Sequence, residues 1–151
     1  MQLVDSNKEE LDTSTIIARA VGEAKDAGQL PKNVTLQAAI LSVISEGSMP
    51  GTKVEQIGNT VFMSHYSEDG KEVAMRAFNA DTARNYLESS IKYVKALPEQ
   101  GVERMTSDFS DKKILQLFNT IARRPELQEW GMQVYKLNTG AMRAYVVLKG
   151  A

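Results

Sequence analysis

His65, the only histidine of the chain, is the side chain best suited to acid–base chemistry. It lies in the stretch VFMSHYS, and an imidazole on a central strand can act as a general base. The competing interpretation, which we favour, is a half-exposed strand residue without a chemical role. No metal site is predicted, because no carboxylate pair stands at ligand spacing around this histidine. The chain has no cysteine, which excludes thiolate catalysis, disulfides and cysteine metal sites.

The densest basic and aromatic spot is formed by Arg123, Arg124 and Trp130. These residues could hold a nucleic-acid phosphate and stack a base, or they could anchor a protein interface. The preferred interpretation is structural: cations complement the dipole at a helix C-terminus, and the tryptophan covers the edge of the core. Of the two functional options we prefer protein contact, because no wider basic patch is evident.

The stretch FNADTARNYL, residues 78–87, lies where a strand is predicted to pass into a helix. In many α/β enzymes this junction is a glycine-rich loop, whose backbone N–H groups can approach phosphate oxygens closely. This stretch has no glycine, and Asp81 stands at the predicted N-cap. A carboxylate there would occupy the free N–H groups of the helix start and repel a phosphate. A capped helix start is therefore the preferred interpretation.

Apolar spacing predicts the elements that position these residues. Helices are expected after Asp12, after Asn33, in DTARNYLESSIKYVKAL, and in SDKKILQLFNTIARR with Ser110 or Asp111 as its cap. The stretch KVEQIGNTVFMSHYSEDGKEVAMRAF predicts three antiparallel strands, and VERMTSDF predicts another. MQVYKLNTGAMRAYVVLKG predicts a hairpin in which Gly140 takes a positive φ. MQLVD is a candidate edge strand.

The closing run AYVVLKG has nearly consecutive apolar residues. This pattern is typical of a strand buried on both faces, whereas an exposed edge of this kind would need a partner to cover it. Tyr86 and Tyr93 share one helical face, which would either border a partner surface or pack half-buried on the sheet.

Composition places the chain among ordinary soluble globular proteins. It has 151 residues, of which 42% are hydrophobic and 25% charged, and this length fits one domain. The formal net charge of -1 gives no general attraction to nucleic acid or to an anionic membrane. No apolar run approaches the roughly 20 residues that span a bilayer, and no leader pattern is evident, so we expect a soluble, intracellular protein.

The order of elements over nearly the whole chain resembles the GNAT family of N-acyltransferases. The segment SDKKILQLFNTIARRPELQEWGMQVYKL is similar to the family's last helix and following strand, with Asp111, Phe118 and Gly131 in the places of a small polar residue, an aromatic residue and a glycine. The connection RRPELQEW is longer than usual. The resemblance implies an α/β (α+β) fold: a GNAT-like mixed central sheet of six to seven strands, flanked by about four helices, in a single domain over residues 1–151.

The resemblance also implies where a cofactor would bind. GNAT enzymes hold the pyrophosphate of acyl-CoA with a loop of the type R/Q-x-x-G-x-G/A. In this chain the residues in its place are Ala80, Asp81, Thr82, Ala83 and Arg84. Because this stretch lacks the glycines and holds a carboxylate, we expect no cofactor to bind there.

A second departure concerns the proton donor. Many family members use a tyrosine of the last helix to protonate the departing thiolate, and Phe118 holds that place without a proton to give. Tyr135, on the following strand, is the nearby substitute. The alternative expectation is an acetyl-CoA-dependent N-acetyltransferase in which amides of residues 80–84 contact the pyrophosphate and His65 or Tyr135 moves protons.

The chain also resembles small virion-associated proteins of short-tailed phages. The resemblance lies in the stretches RAFNADTARNYLESSIKYVKA and FSDKKILQLFNTIARRPE and in the closing lysine–glycine hairpin. The two resemblances together imply a non-enzymatic structural or interaction protein of a virion or of the host cytoplasm. Its partners would be other virion or host proteins, or further copies of itself, engaged through a sheet edge or through Arg123, Arg124 and Trp130. A nucleic-acid partner is not expected from the near-zero charge.

Overall fold

The computed structural model describes residues 10–109, 112–124 and 130–148, apart from the side chains of residues 112, 113 and 122. These ranges contain six strands and four helices, with a short 3-10 turn at Pro98–Gln100. The elements in chain order are α1 Thr13–Asp26, α2 Leu36–Gly47, β1 Thr52–Ile57, β2 Thr60–Tyr66, β3 Glu72–Asn79, α3 Ala83–Ala96, β4 Arg104–Phe109, α4 Lys112–Ala122, β5 Gly131–Lys136 and β6 Met142–Val147.

The six strands form one mixed sheet in the order β1-β2-β3-β4-β6-β5. β1, β2 and β3 form the predicted antiparallel meander, with turns at Gly58 and Gly70, both of which have positive φ. β3 pairs with β4 in parallel, because α3 returns the chain in the same direction. The predicted α+β class, with a six-stranded mixed sheet and four helices in the described ranges, is confirmed.

The two faces of the sheet carry separate apolar cores. Helices α1 and α2 cover β2 and β3 on one face, where the buried residues are Ile16, Ile17, Val21, Val43, Val61, Met63 and Phe78. Helices α3 and α4 cover the other face, where the buried residues include Phe62, Val73, Met105, Phe118, Ala144 and Val146. The alternation of side chains along each strand assigns neighbouring residues to opposite cores.

Local signals explain where the helices begin. The carboxylate of Asp12 accepts from the Thr15 N–H at the start of α1, and the Thr35 hydroxyl accepts from the Ala38 N–H at the start of α2. The expected N-cap of α3 was wrong by one residue. Thr82 caps that helix by accepting from the Asn85 N–H.

The closing strand differs from its expected burial. β6 lies between β4 and β5, so it is not an edge strand. Ala144 and Val146 are buried, but Val147 is exposed and Tyr145 is half-buried. The expectation that both faces are buried was therefore wrong for this strand. Its Val147 face lies beyond the part of the sheet that α1 and α2 cover.

Three sequence expectations fall outside the described residues. They are the MQLVD strand, the cap of α4 at Ser110 or Asp111, and residues 125–129 of the RRPELQEW connection. The hairpin turn does lie within them, and Gly140 has a φ of +93°, as predicted. The Leu137 N–H donates to the Ala141 carbonyl at 2.7 Å and closes this turn.

Candidate functional site

β3 and β4 separate in the middle of the sheet. Their parallel pairing covers only three residue pairs and ends at Ala74 and Thr106, although both strands continue. Beyond this point a cavity of about 130 Å³ opens towards α3 and α4. We call it the apolar cleft, and its lining is Met75, Arg76, Ala77, Phe78, Tyr86, Ser90, Val94, Ser107, Asp108, Phe109, Ile114, Leu117, Phe118 and Ile121.

A second cavity, of about 250 Å³, opens on the opposite face of the sheet. We call it the polar cleft, and its lining is His65, Ala74, Met75, Arg76, Thr106, Asp108 and Arg143. Met75, Arg76 and Asp108 line both cavities. The separation of β3 and β4 therefore gives one opening with an apolar side and a charged side.

His65 lies at the polar cleft with both ring nitrogens engaged. Nε2 is 2.7 Å from a Glu46 oxygen, and Nδ1 is 2.9 Å from the Thr52 hydroxyl. Because a carboxylate only accepts, Nε2 donates, and Nδ1 of the neutral ring accepts from Thr52. The second Glu46 oxygen accepts from Arg76 at 2.6 Å. His65 could therefore take a substrate proton only after one of these bonds breaks, and its role as a general base stays a prediction.

The other charges of the polar cleft are also paired. Arg143 donates two hydrogen bonds to Asp108, at 2.6 and 2.9 Å, in the bidentate geometry of a strong ion pair. These bonds lower the pKa of Asp108 and raise the pKa of Arg143. Tyr135 stands opposite Arg143 in the register of β5 and β6, and its side chain is exposed. It lines neither cleft, so a proton-donating role for Tyr135 also stays a prediction.

Asp81 is fixed at the start of α3 by three hydrogen bonds. One carboxylate oxygen accepts from the Thr82 N–H and from the Asn85 amide, each at 2.9 Å. The other accepts from the Asn59 N–H at 3.3 Å. Partial burial would raise the pKa of this carboxyl, but the bonds from Asn85, Thr82 and Asn59 together hold its pKa below the usual value. Asp81 therefore joins the turn between β1 and β2 to the helix start as a carboxylate.

The neighbours of Asp81 do not rebuild an anion site. Thr82 uses its hydroxyl on the helix cap, and Arg84 is exposed on the first turn. Ala80 donates its N–H to the Asn59 carbonyl at 2.9 Å, and Ala83 begins the helix. The start of α3 thus presents a fixed negative charge, and the N–H groups of Thr82 and Asn85 are already bonded to side chains.

Three aromatic residues of α3 and α4 lie on the side of the sheet that holds the apolar cleft. Phe118 is buried and stacks on Phe109 at 5.5 Å, so it lines the apolar cleft as a core residue. Tyr86 lines the same cleft, and only its sequence distance from Tyr93 had marked it. Tyr93 is buried, stacks on Phe62 at 4.4 Å and shares a hydrogen bond with Ser64. Burial raises the pKa of this phenol.

The arginine pair and the tryptophan do not form a free basic patch. Arg124 donates to Glu88 of α3 at 2.7 Å, and Trp130 is partly buried against the core beneath α3 and α4. Arg123 is exposed. These contacts fit the structural interpretation, and a binding role for the three residues stays a prediction.

Several solved structures that resemble this fold are acetyltransferases. A ribosomal-protein-alanine N-acetyltransferase from Brucella melitensis superposes with a TM-score of 0.53 and 11% identity, over 91% of this chain and 97% of that one. The GNAT domain of PAT from S. lividans gives a TM-score of 0.54 and 11% identity, over 92% and 87%. This chain has the GNAT fold. No protein-family model and no curated protein matches the sequence.

The GNAT fold implies acyl-CoA, and the described residues fit that group only in part. The apolar cleft, of about 130 Å³, has a mostly apolar lining that suits an aliphatic group. At the start of α3, however, a pyrophosphate would meet the fixed carboxylate of Asp81. Like charges at close range repel, and the helix N-terminus already has its anion. The site does not fit the pyrophosphate of CoA.

Within the described residues, no helix is both long and apolar enough to cross a membrane, and no group of three or more potential metal ligands is found.

Proposed function

We propose that this chain keeps the GNAT fold without acyl-CoA-dependent catalysis and acts by binding other proteins. The observation that carries the proposal is the Asp81 carboxylate at the start of α3, held by Thr82, Asn85 and Asn59 where an acyl-CoA enzyme needs free N–H groups. Replacing such an anion with a ligand phosphate would leave three donors to be reorganised. Fold alone does not specify activity, so the proposal is based on the residues at the start of α3.

The groups that would move protons give the proposal further support. His65 is bonded at both nitrogens, and Phe118 has no acidic proton. Tyr135 lines neither cleft. A binding protein needs none of these groups to be free, whereas a transferase needs at least one near its acceptor.

The partners in this proposal are proteins of a virion or of the host cell, or further copies of the chain. Its place would then be a phage particle or the host cytoplasm. The resemblance of RAFNADTARNYLESSIKYVKA to small virion-associated proteins motivates this part of the proposal. Neither cleft offers an unpaired cation to a nucleic-acid phosphate, because Arg76 and Arg143 are both in ion pairs.

Isothermal titration with acetyl-CoA and CoA tests the proposal. We expect no binding at micromolar concentration by the natural chain and measurable binding by Asp81→Asn or Asp81→Gly, because each removes the negative charge from the helix start. Asp81→Asn retains an oxygen that can accept from Thr82 and Asn85, so we expect this variant to fold even if Asp81→Gly does not. Asp69→Asn, a matched change in the turn between β2 and β3, should leave binding absent.

Micromolar binding of acetyl-CoA by the natural chain would overturn the proposal. It would favour the second candidate, an acyl-CoA-dependent N-acyltransferase with an unconventional cofactor loop. The specific observation in favour of that candidate is the apolar cleft between the separated strands. In that case acetyl transfer to amines should fall when His65 is replaced by Gln, if His65 is the base.

A further inference from the structure

The strand β1 forms one edge of the sheet, since among the described residues it pairs with β2 alone. A strand edge presents N–H and C=O groups that another strand can bond. The Tyr66 N–H donates to the Gly51 carbonyl at 2.8 Å, so the odd-numbered residues of β1 bond to β2. The peptide groups of Val54 and Gln56 therefore point outward, away from the sheet.

The charges of β1 form a pattern that is complementary to itself. Lys53 and Glu55 are exposed and lie two residues apart, on the same face of the strand. Among the described residues neither is in an ion pair, and the Lys53 ammonium lies 4.7 Å from the centre of the Tyr66 ring. β1 thus offers a neighbour one cation and one anion, whereas the charges of the clefts are paired within the chain.

These charges select one register for antiparallel pairing with a second copy of β1. The outward, even-numbered residues of one copy must face even-numbered residues of the other. If Lys53 faces its own copy, two cations lie opposite each other, and if Glu55 faces its own copy, two anions do. With Val54 facing its own copy, Lys53 of each chain lies opposite Glu55 of the other. Opposite charges on facing residues stabilise a strand pair and like charges destabilise it, so the register centred on Val54 is favoured.

The same register supplies backbone hydrogen bonds. The N–H and C=O of Val54 bond to the C=O and N–H of Val54 in the second copy. The Gln56 N–H of each copy donates to the Thr52 carbonyl of the other. The Thr52 N–H contributes no bond, because it donates to the Met49 carbonyl at 3.2 Å in its own turn. The sheet of one copy then continues into the sheet of the other.

Helix α2 lies on the face of the sheet where its two copies would meet. A methyl group added at Gly47 would lie 3.1 Å from the Val54 side chain, so the last turn of α2 packs against β1. Leu41 and Ile44 precede Gly47 at spacings of three residues, and both are exposed. A two-fold axis through Val54 and perpendicular to the sheet places both copies of α2 on the same face. The exposed apolar residues of α2 then face a matching helix.

The edge formed by β5 lacks such a pattern. β5 carries Lys136 but no acidic residue. No register of β5 with its own copy can therefore place opposite charges of the strand face to face. The self-complementary charges single out β1.

We propose that two copies of this chain associate by antiparallel pairing of their β1 strands, with Val54 at the two-fold axis. Contacts between Lys53 and Glu55 of opposite copies fix the register, and the two α2 helices lie side by side above it. The inference rests on the proposed function, since it names the partner of a protein-binding chain. It assigns self-association to β1 and not to β5.

Sedimentation equilibrium of the natural chain over about 1–200 µM tests the association, and we expect a reversible monomer–dimer equilibrium. Lys53→Glu should weaken dimerisation at least about tenfold, because carboxylates then face each other across the strand pair. The double variant Lys53→Glu/Glu55→Lys restores opposite charges and should dimerise like the natural chain. Lys92→Glu makes the same change at an exposed position of α3 and should leave dimerisation intact.

A cysteine at the two-fold axis tests the register. The natural chain has no cysteine, so Val54→Cys introduces a single thiol. Facing residues of a bonded antiparallel pair have Cα atoms about 5.5 Å apart, which is within the range of a disulfide. We expect Val54→Cys to form a covalent dimer under mild oxidation. Thr52→Cys should not, because residue 52 of the second copy lies roughly 13 Å away along the strand.

A natural chain that stays monomeric over this concentration range would overturn the inference, and a monomer is also the result expected if another segment of the same chain covers β1. A dimer that Lys53→Glu leaves unchanged, or that the double variant does not regain, would overturn it as well. The thermal midpoint of each variant reports folding. The titration with acetyl-CoA tests the proposed function separately. If the chain is monomeric and acetyl-CoA does not bind, the proposed function stands while this inference fails; acetyl-CoA binding would instead overturn the proposed function.

Discussion

Individual charges around the clefts are balanced within the chain. Arg76 is paired with Glu46, Arg143 with Asp108, and Asp81 with backbone and amide donors. A site that awaits a charged substrate usually leaves such groups poised for it. Here each of these charges already has an internal partner, so none of them is poised for a charged substrate.

The pairing of Asp108 should appear in the pH dependence of stability. Its pKa in the folded chain is lowered, chiefly by the hydrogen bonds from Arg143, so the folded state binds fewer protons than the unfolded state. The stabilisation is present above the ordinary aspartate pKa and is lost as the pH falls through the lowered value. We expect Asp108→Asn to be less stable than the natural chain at pH 7 and to differ little at pH 2, in urea denaturation. An unchanged difference at both pH values would contradict this.

At the scale of elements, α2 is held to the sheet more loosely than the other described helices. Val43 is its only buried residue, and Leu36, Leu41 and Ile44 are exposed. Glu46, in the last turn, joins the helix to His65 of β2 and to Arg76 of β3. This carboxylate is the polar link between α2 and the rim of the polar cleft.

Glu46→Gln should loosen α2 selectively. The amide keeps the shape of the side chain but removes the negative charge that attracts Arg76. It also replaces one of the two carboxylate oxygens that accept from His65 and Arg76. In native-state hydrogen exchange we expect the amides of Leu36–Gly47 to exchange several-fold faster, while those of β2 and β3 hold their rates. Glu23→Gln, at an exposed position of α1, is the control. Equal acceleration in α1 and α2 would show a general loss of stability instead.

At the scale of the whole molecule, one sheet separates two apolar cores that share no buried residue. Met105 is almost fully buried in the core beneath α3 and α4, whereas Val54 of β1 is 43% exposed. The core that contains Met105 draws on four strands and both C-terminal helices. Its integrity keeps α3 and α4 in place as the wall of the apolar cleft.

Met105→Ala should lower the free energy of unfolding by about 2–5 kcal/mol, because it removes buried methylene and sulfur contacts and leaves a cavity. Val54→Ala should change it by less than about 1 kcal/mol, because the side chain is already partly hydrated. Urea denaturation of both variants measures the difference. A similar small effect for both would mean that the core under the cleft wall is loosely packed.

The sequence by itself determined the elements and their class. The cap at Asp12, the positive-φ Gly140 and the helical spacing of Ile91 and Val94 are signals that act within a few residues. Such signals fix local conformation because the interacting groups are close along the chain. They also located the junction at residues 78–87 and its missing glycines.

Only the tertiary structure decided what those residues do. The separation of β3 from β4 and the interior place of β6 depend on residues far apart in sequence. So do the hydrogen bonds from the Asn59 N–H to Asp81 and from His65 to Glu46. No local pattern encodes such pairings, because they depend on how helices pack against a twisted sheet. The cleft exists for the same reason: it lies between two strands that a 14-residue helix separates along the chain.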